Sequence, residues 1–155
     1  LQAAHQTKED EWRQTIAPNV DSAFATVRAG AKVMGRSGGS IVLMSSSAAR
    51  VGLPSHEAIA AAKAGVIGLA RSAAATYAGK GIRVNAVAPG FVKTEILAGM
   101  PDKILDSMVS HTPLGRIGEP LDIAEAYPEV VEQLDAALAL FHGERPGTHL
   151  SEAGR

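Results

Sequence analysis

A lysine surrounded by alanines is the residue whose chemistry stands out first. Lys63 lies within the run Ala60–Ala64, where an ammonium group is expensive to bury unless it is paired. A solvated crevice or a bound polar group explains such a lysine better than a packed core does. Ser46 ends a short apolar run typical of a buried strand, and ligands of open α/β sheets bind beyond the carboxyl ends of strands. The two residues predict a polar site where a helix meets the end of a strand.

Positions 59 and 63 share one helix face, because residues four apart are neighbours on an α-helix. Ile59 occupies the first of them, and an alkyl chain can neither give nor take a proton. His56 lies on the same face, and an imidazole is suited to proton transfer. A solvated histidine in the first turn of the helix is the simpler interpretation of His56.

Two helices and a strand in the first half of the chain are predicted to position these residues. Apolar spacing predicts a helix over Lys8–Met34, with a kink at Ala17 because Pro18 disfavours helical geometry in the residue before it. Ile41–Ser46 is predicted as a buried strand. An alanine-rich helix over Glu57–Ala78 should be buried on several sides, against a sheet and a partner subunit, with Ser55 as its N-cap.

The following segments complete a parallel unit. Ile82–Val87 is predicted as a second buried strand, and it leads into Pro89-Gly90. Helices are predicted over Thr94–Ser110 and from Pro120. The strand, helix, strand order, with a helix too long for a hairpin, predicts a parallel βαβ unit with a right-handed crossover. The expected fold class is therefore α/β.

Composition excludes several classes of function. The chain has 155 residues, a net charge of -1 and no cysteine, so disulfides and thiolate metal sites are excluded. Aromatic residues make up 4% and no basic block occurs, so we expect no nucleic-acid partner. Scattered histidines predict no metal site. No apolar run approaches the length of about 20 residues that a membrane span needs, so we expect no membrane partner. We also expect a cytoplasmic location. The lack of an initial methionine suggests that sequence precedes Leu1.

Several segments then follow one another in a familiar order. Gly52–Gly68 reads GLPSHEAIAAAKAGVIG, Asn85–Gly90 reads NAVAPG, Phe91–Thr94 reads FVKT and Gly115–Ala124 reads GRIGEPLDIA. Together with Asn19 upstream, they resemble the short-chain dehydrogenase/reductase family from about residue 9 to residue 126. The resemblance implies a partial Rossmann-like fold, a doubly wound parallel sheet in a three-layer α/β/α arrangement.

The resemblance also implies roles for individual residues. A serine, a tyrosine thirteen residues later and a lysine four residues after that form the family's proton-transfer site, and the matching positions are Ser46, Ile59 and Lys63. Asn19 matches a site asparagine on the central helix. Contacts to NAD or NADP are implied for the residues at the matching cofactor positions: Lys63, Pro89, Gly90, Val92 and Thr94.

Simpler interpretations of these positions stay open. Ser46 is otherwise a strand-end serine, and the run Ser45–Ser47 leaves the register uncertain by one residue. Pro89-Gly90 is otherwise a plain turn. Thr94 suits a helix N-cap as well as a cofactor contact, and Asn19 suits a cap for the second half of a broken helix.

The sequence departs from the family in three respects. Ile59 stands where the family has tyrosine, and no Gly-x-x-x-Gly-x-Gly loop occurs to meet a pyrophosphate. Residues 127–155 differ from the family's last helix and strand. We therefore expect a partial Rossmann-like domain over residues 1–126, without the first βαβ half and the last strand, followed by a divergent C-terminal helix and flexible tail.

Two functional hypotheses follow. The first is an NAD(P)-dependent oxidoreductase of a small carbonyl or alcohol substrate. We expect it to be inactive or impaired because position 59 is isoleucine and the glycine-rich loop is absent, unless a water bridging to Lys63, or His56, replaces the phenol. The second is a non-catalytic pseudoenzyme or truncated fragment that acts through helix association. The resemblance implies a homo-oligomer through the helices over 9–34 and 57–78.

Overall fold

The computed structural model describes residues 1–126. Two strands form a parallel sheet, and the main helices precede, connect and follow them. The α-helices are α1 (Glu9–Ile16), α2 (Ser22–Val33), α3 (Ala48–Val51), α4 (Glu57–Tyr77), α5 (Asp102–Ser110) and α6 (Pro120–Ala124), and the strands are β1 (Gly39–Met44) and β2 (Ile82–Val87). Contacts divide the chain into one unit over Leu1–Gly118 and a second that begins at Glu119.

The first predicted helix is interrupted at its proline, as expected. A π-helical turn over Ala17–Asp21 separates α1 from α2. Pro18 has no N–H to continue the helical ladder, so the chain takes an extra residue into this turn. The two halves nevertheless follow one another without a loop, and this places Asn19 within the irregular turn.

The sheet confirms the predicted parallel βαβ unit. Gly39 pairs with Ile82 and Met44 pairs with Val87, so the two carboxyl ends lie side by side. β2 has the predicted bounds, whereas β1 begins two residues earlier and ends two residues earlier than Ile41–Ser46. Backbone bonding continues beyond the strands, because the Ser45 N–H donates to the Val87 carbonyl at 2.6 Å.

Small residues let the helices approach the sheet closely. Val66 and Ile82 are fully buried, and the core joins α2 and α4 to one face of the sheet. Four residues of α4 are buried at helical spacing: Ala62, Val66, Ala70 and Ala73. Gly30 of α2 lies so near the sheet that a Cβ atom there would come within 2.8 Å of Ile41 Cδ1. The closeness of α2 to β1 thus depends on glycine.

One helix departs from the expectation that no long apolar run occurs. Glu57–Lys80 spans 24 residues and contains an 18-residue window with a mean hydropathy of 1.3, so by length and composition alone it could cross a membrane. Within the described residues, α4 instead packs against both strands and supplies four core residues. Packing against the sheet therefore accounts for one apolar stripe of the helix, whereas 22% of the window is buried in all.

Two local predictions are wrong. Ser55 is not the N-cap of α4, because it has a left-handed φ of 59° and the cap position belongs to His56. The predicted helix Thr94–Ser110 is broken into a 3-10 turn at Glu95–Leu97 and α5. Gly99, with a φ of 79°, and Pro101 stand between them and stop helical propagation.

The second unit begins with a helix whose start is fixed by side chains. Glu119 and Asp122 form a reciprocal capping box at the first turn of α6, in which the Glu119 N–H donates to Asp122 Oδ2 at 2.7 Å. The helix expected from Pro120 is thus confirmed at its N-terminus. The C-terminal helix and tail predicted over 127–155 lie outside the described residues.

Candidate active site

Lys63 lies beside the carboxyl end of β1. Its Nζ donates a hydrogen bond to the Met44 carbonyl at 3.0 Å, and the residue is half-buried. Burial lowers the pKa of the Lys63 ammonium, because removing the charged form from water is unfavourable. One N–H of the ammonium is therefore held by the backbone, and a polar group can take the others.

Ser45 forms a hydrogen bond with the backbone of the same lysine. Its Oγ donates to the Lys63 carbonyl at 2.8 Å, and the residue is only 4% exposed. The two contacts attach one residue of α4 to two consecutive residues of β1 and its continuation. Neither contact was expected from the sequence, although alternation along the strand places Ser45 on the same face as Ile41 and Leu43. That alternation is the signal that points to this serine.

Ser46 faces a different group. Its Oγ accepts a hydrogen bond from the Ala48 N–H at 3.2 Å, in the turn that leads into α3. The residue is half-buried, and it directly follows the pair of positions that hold Lys63. The structure thus places Ser46 two residues beyond the Met44 carbonyl, at the same end of the sheet as the lysine.

The turn after β2 lies at the same end of the sheet as Ser46 and Lys63. The Ser47 N–H donates to the Pro89 carbonyl at 2.8 Å, so the Pro89-Gly90 turn is bonded to the segment that follows β1. Gly90 is exposed and a Cβ atom there would meet nothing within 4 Å. The structure therefore brings Ser46, Lys63 and Pro89-Gly90 to one end of the parallel pair.

Ile59 lies one turn before Lys63 on α4 and is half-buried. Its side chain lines a cleft of about 130 Å³ between the start of α4 and α1, together with Glu11, Thr15 and His56. The His56 ring approaches the Pro54 carbonyl at 2.7 Å through Nδ1. Because a carbonyl only accepts, this contact requires a proton on Nδ1 and fixes the ring at the N-cap.

Asn19 lies on the irregular turn between α1 and α2. Its Nδ2 donates to the Thr15 carbonyl at 2.8 Å, so the side chain bonds one turn back rather than capping α2. π-turns inside helices are frequent at functional sites. The structure assigns Asn19 no contact with Ser46 or Lys63.

The segment with Val92 and Thr94 follows the Pro89-Gly90 turn. Val92 forms an isolated parallel bridge with Gly118, supported by bonds from Lys93 N–H to the Gly118 carbonyl at 2.8 Å and from Gly118 N–H to the Phe91 carbonyl at 3.0 Å. Thr94 is exposed and precedes the 3-10 turn without a side-chain capping bond. The loop between residues 93 and 117 is thus closed at its base.

Comparison with known proteins places this arrangement in a family. Residues 1–134 match the family model described as Enoyl-(Acyl carrier protein) reductase. The chain is 41% identical over 120 residues to the (3R)-3-hydroxyacyl-CoA dehydrogenase of Canis lupus familiaris, covering 76% of this chain and 46% of that protein. It is 39% identical over 118 residues to the 3-oxoacyl-[acyl-carrier-protein] reductase FabG of Staphylococcus aureus, covering 76% of this chain and 48% of that protein.

A solved structure shows the same partial fold. A crystal structure described as a short-chain alcohol dehydrogenase from Sinorhizobium meliloti 1021 superposes with a TM-score of 0.73 at 30% identity, covering 79% of this chain and 50% of that chain. This match confirms the partial Rossmann-like α/β fold expected from the sequence. The chain spans about half the length of the curated relatives that it matches. It belongs to the short-chain dehydrogenase/reductase family.

Proposed function

We propose that this chain carries the substrate and nicotinamide side of an NAD(P)-dependent oxidoreductase site, with its proton-transfer step impaired. The observation that carries the proposal is the meeting of Lys63, Ser46 and the Pro89-Gly90 turn at one end of the parallel strands. Ligands of open α/β sheets bind at this end. The relatives are named for oxidising a hydroxyl or reducing an oxo group, which supports a small carbonyl or alcohol substrate.

The residues fit a hydroxyl-bearing cofactor at this place. Lys63 is half-buried with one N–H bonded to Met44, so its remaining donors suit the hydroxyls of a ribose. Val92, Thr94 and the Pro89-Gly90 turn would hold the nicotinamide end of NAD or NADP. When bound, the cofactor supplies or accepts a hydride.

The protein's own residues then divide the remaining tasks. The Ser46 hydroxyl would hold the substrate oxygen, and the Lys63 ammonium would favour negative charge developing near it. Ile59 can hold the substrate by apolar contact but cannot move a proton. General acid–base catalysis typically contributes ~10²–10⁴-fold, so we expect the hydride step to be slowed by about that factor.

Cofactor binding tests the proposal directly. We expect the chain to enhance NADH or NADPH fluorescence in a titration that extends to millimolar cofactor. Lys63→Met should weaken this binding by about tenfold, equivalent to ~1.4 kcal/mol for one lost charged hydrogen bond. Lys103→Met removes an exposed lysine of α5 and serves as the matched control.

Two outcomes would contradict the proposal. One is the absence of any fluorescence change at millimolar NADH and NADPH with a folded chain. The other is equal binding by the wild type and Lys63→Met, which would leave the lysine without its assigned role.

The helices supply a second candidate function, association with another copy of this chain. Trp12 of α1 and Phe24 of α2 are 42% and 55% exposed. Only 22% of the apolar α4 window is buried, and Gly68 of that helix, where a Cβ atom would meet nothing within 4 Å, leaves room for a close neighbour. We propose a homo-oligomer formed through residues 9–34 and 57–78, which would cover these apolar surfaces.

A further inference from the structure

We propose that Ser45 is a positioning residue, whose hydroxyl fixes the second turn of α4 to the end of β1 and thereby sets where the Lys63 ammonium lies. The inference rests on the proposed function, because that function gives Lys63 its role toward the cofactor. It adds a residue that the family motif does not single out among the three consecutive serines.

Two adjacent residues hold the two ends of one lysine. Ser45 Oγ binds the Lys63 carbonyl at 2.8 Å, and the Met44 carbonyl accepts from Lys63 Nζ at 3.0 Å. A lysine stem has four flexible carbons, so the ammonium alone would sample many positions. Fixing the backbone from which the stem starts restricts those positions to the ones within reach of Met44.

The Ser45 hydroxyl is itself held in place. Ser45 is 4% exposed, and its N–H donates to the Val87 carbonyl at 2.6 Å, which ties it to β2. The Lys63 carbonyl lies mid-helix, where carbonyls normally accept the N–H four residues later, and a carbonyl has a second lone pair for Ser45. Because α4 does not need this bond to satisfy its own backbone, its contribution is to the placement of α4 on the sheet.

Another buried serine on the same strand supplies the control. Ser40 of β1 is 8% exposed and its Oγ has no hydrogen-bond partner in the structure. Ser40→Ala and Ser45→Ala remove the same atom from buried positions five residues apart. Only Ser45→Ala removes a bond to α4.

The test is carried out on the 155-residue chain with ¹³Cε-labelled lysine. The Lys63 signal is assigned as the one lost in Lys63→Met. Burial is the only cause that lowers the pKa of Lys63, so loosening this turn should expose the ammonium. In Ser45→Ala we expect a shifted Lys63 signal whose pKa moves up toward the ordinary value of 10.5, and in Ser40→Ala an unchanged signal.

A purely structural role gives a different result. If Ser45→Ala lowers the thermal midpoint but leaves the Lys63 signal and titration as in the wild type, the proposal is wrong. If Ser45→Ala does not fold, Ser45→Cys places a weaker donor at the same position and must show the same upward pKa shift to a smaller extent.

Cofactor titration separates this inference from the proposed function. A Lys63 signal that responds to Ser45→Ala while NADH fails to bind would support the positioning role and overturn the proposed function. An unresponsive signal in a chain that binds NADH through Lys63 would do the reverse.

Discussion

At the scale of single residues, position 59 has the clearest chemical consequence. Ile59→Tyr would place a phenol one helical turn from the Lys63 ammonium, on the same face of α4. In a chain completed with the glycine-rich half of a relative, we expect carbonyl reduction followed by NADPH consumption to rise by at least ~10²-fold. Ala61→Tyr, at an exposed position of the same helix two residues from both 59 and 63 and therefore on another face, should leave the rate unchanged.

Two outcomes would contradict this prediction for Ile59→Tyr. Bound cofactor without recovered reduction would show that the site lacks more than a proton donor. A rise produced equally by Ala61→Tyr would show that the phenol acts through stability rather than chemistry.

The sequence predicted correctly which residues lie together at the strand end. It did not predict the hydrogen bonds that hold them there. Lys63, Ser46 and Pro89-Gly90 were expected at one strand end, and the structure brings them there. The contact of Ser45 with α4 could not be predicted from the sequence, because any of the three consecutive serines could have faced that helix. Strand alternation distinguishes them only once the bounds of β1 are known.

At the scale of elements, the packing of α2 on β1 depends on one glycine. Gly30→Ala gains helix propensity of roughly 0.8–1 kcal/mol, but the new Cβ atom would lie 2.8 Å from Ile41 Cδ1. Overpacking of this kind costs about 1–3 kcal/mol, so we expect a net loss in the free energy of unfolding, measured in urea. Within one chain, Gly68→Ala meets nothing within 4 Å, so the monomeric chain should gain the helix propensity there without a clash.

A double-mutant cycle identifies the clashing atom. Ile41→Val removes Cδ1, so Gly30→Ala should cost less in that background than in the wild type. Strictly additive effects would mean that the methyl group at position 30 finds room elsewhere.

Element types followed from the sequence more reliably than their boundaries. β2 matched its predicted bounds because Gly81, with a φ of 70°, precedes it and Pro89 follows it. The break within Thr94–Ser110 was missed because the apolar spacing continues through Gly99 and Pro101. The start of α4 at Glu57 was predicted correctly, but its cap is His56 rather than Ser55, because Ser55 has a left-handed φ in the turn after Pro54.

At the scale of the whole molecule, apolar surface argues for association. Trp12 and Phe24 are both more than one-third exposed, and α1 and α2 follow one another in the proposed interface. Light scattering after size exclusion should give a multiple of 16.0 kDa for the wild type. Phe24→Glu should shift the population toward monomer, because a buried unpaired charge opposes the interface.

A substitution outside these helices provides the comparison. Leu114→Glu changes an equally apolar side chain that is 81% exposed in the loop between residues 93 and 117, and should leave the mass unchanged. A monomeric wild type across micromolar to millimolar concentration would refute the homo-oligomer.

The bridge between Val92 and Gly118 makes the loop between them tolerant of changes in length and sequence. Because the backbone closes the chain there, the 25 intervening residues form a module whose ends already meet. Lengthening such a module costs little, since loop-closure entropy grows only with the logarithm of length. Exchanging residues 95–117 for a relative's loop is therefore a change that the fold should tolerate, and it leaves Thr94, Lys63, the serines and the paired strands undisturbed.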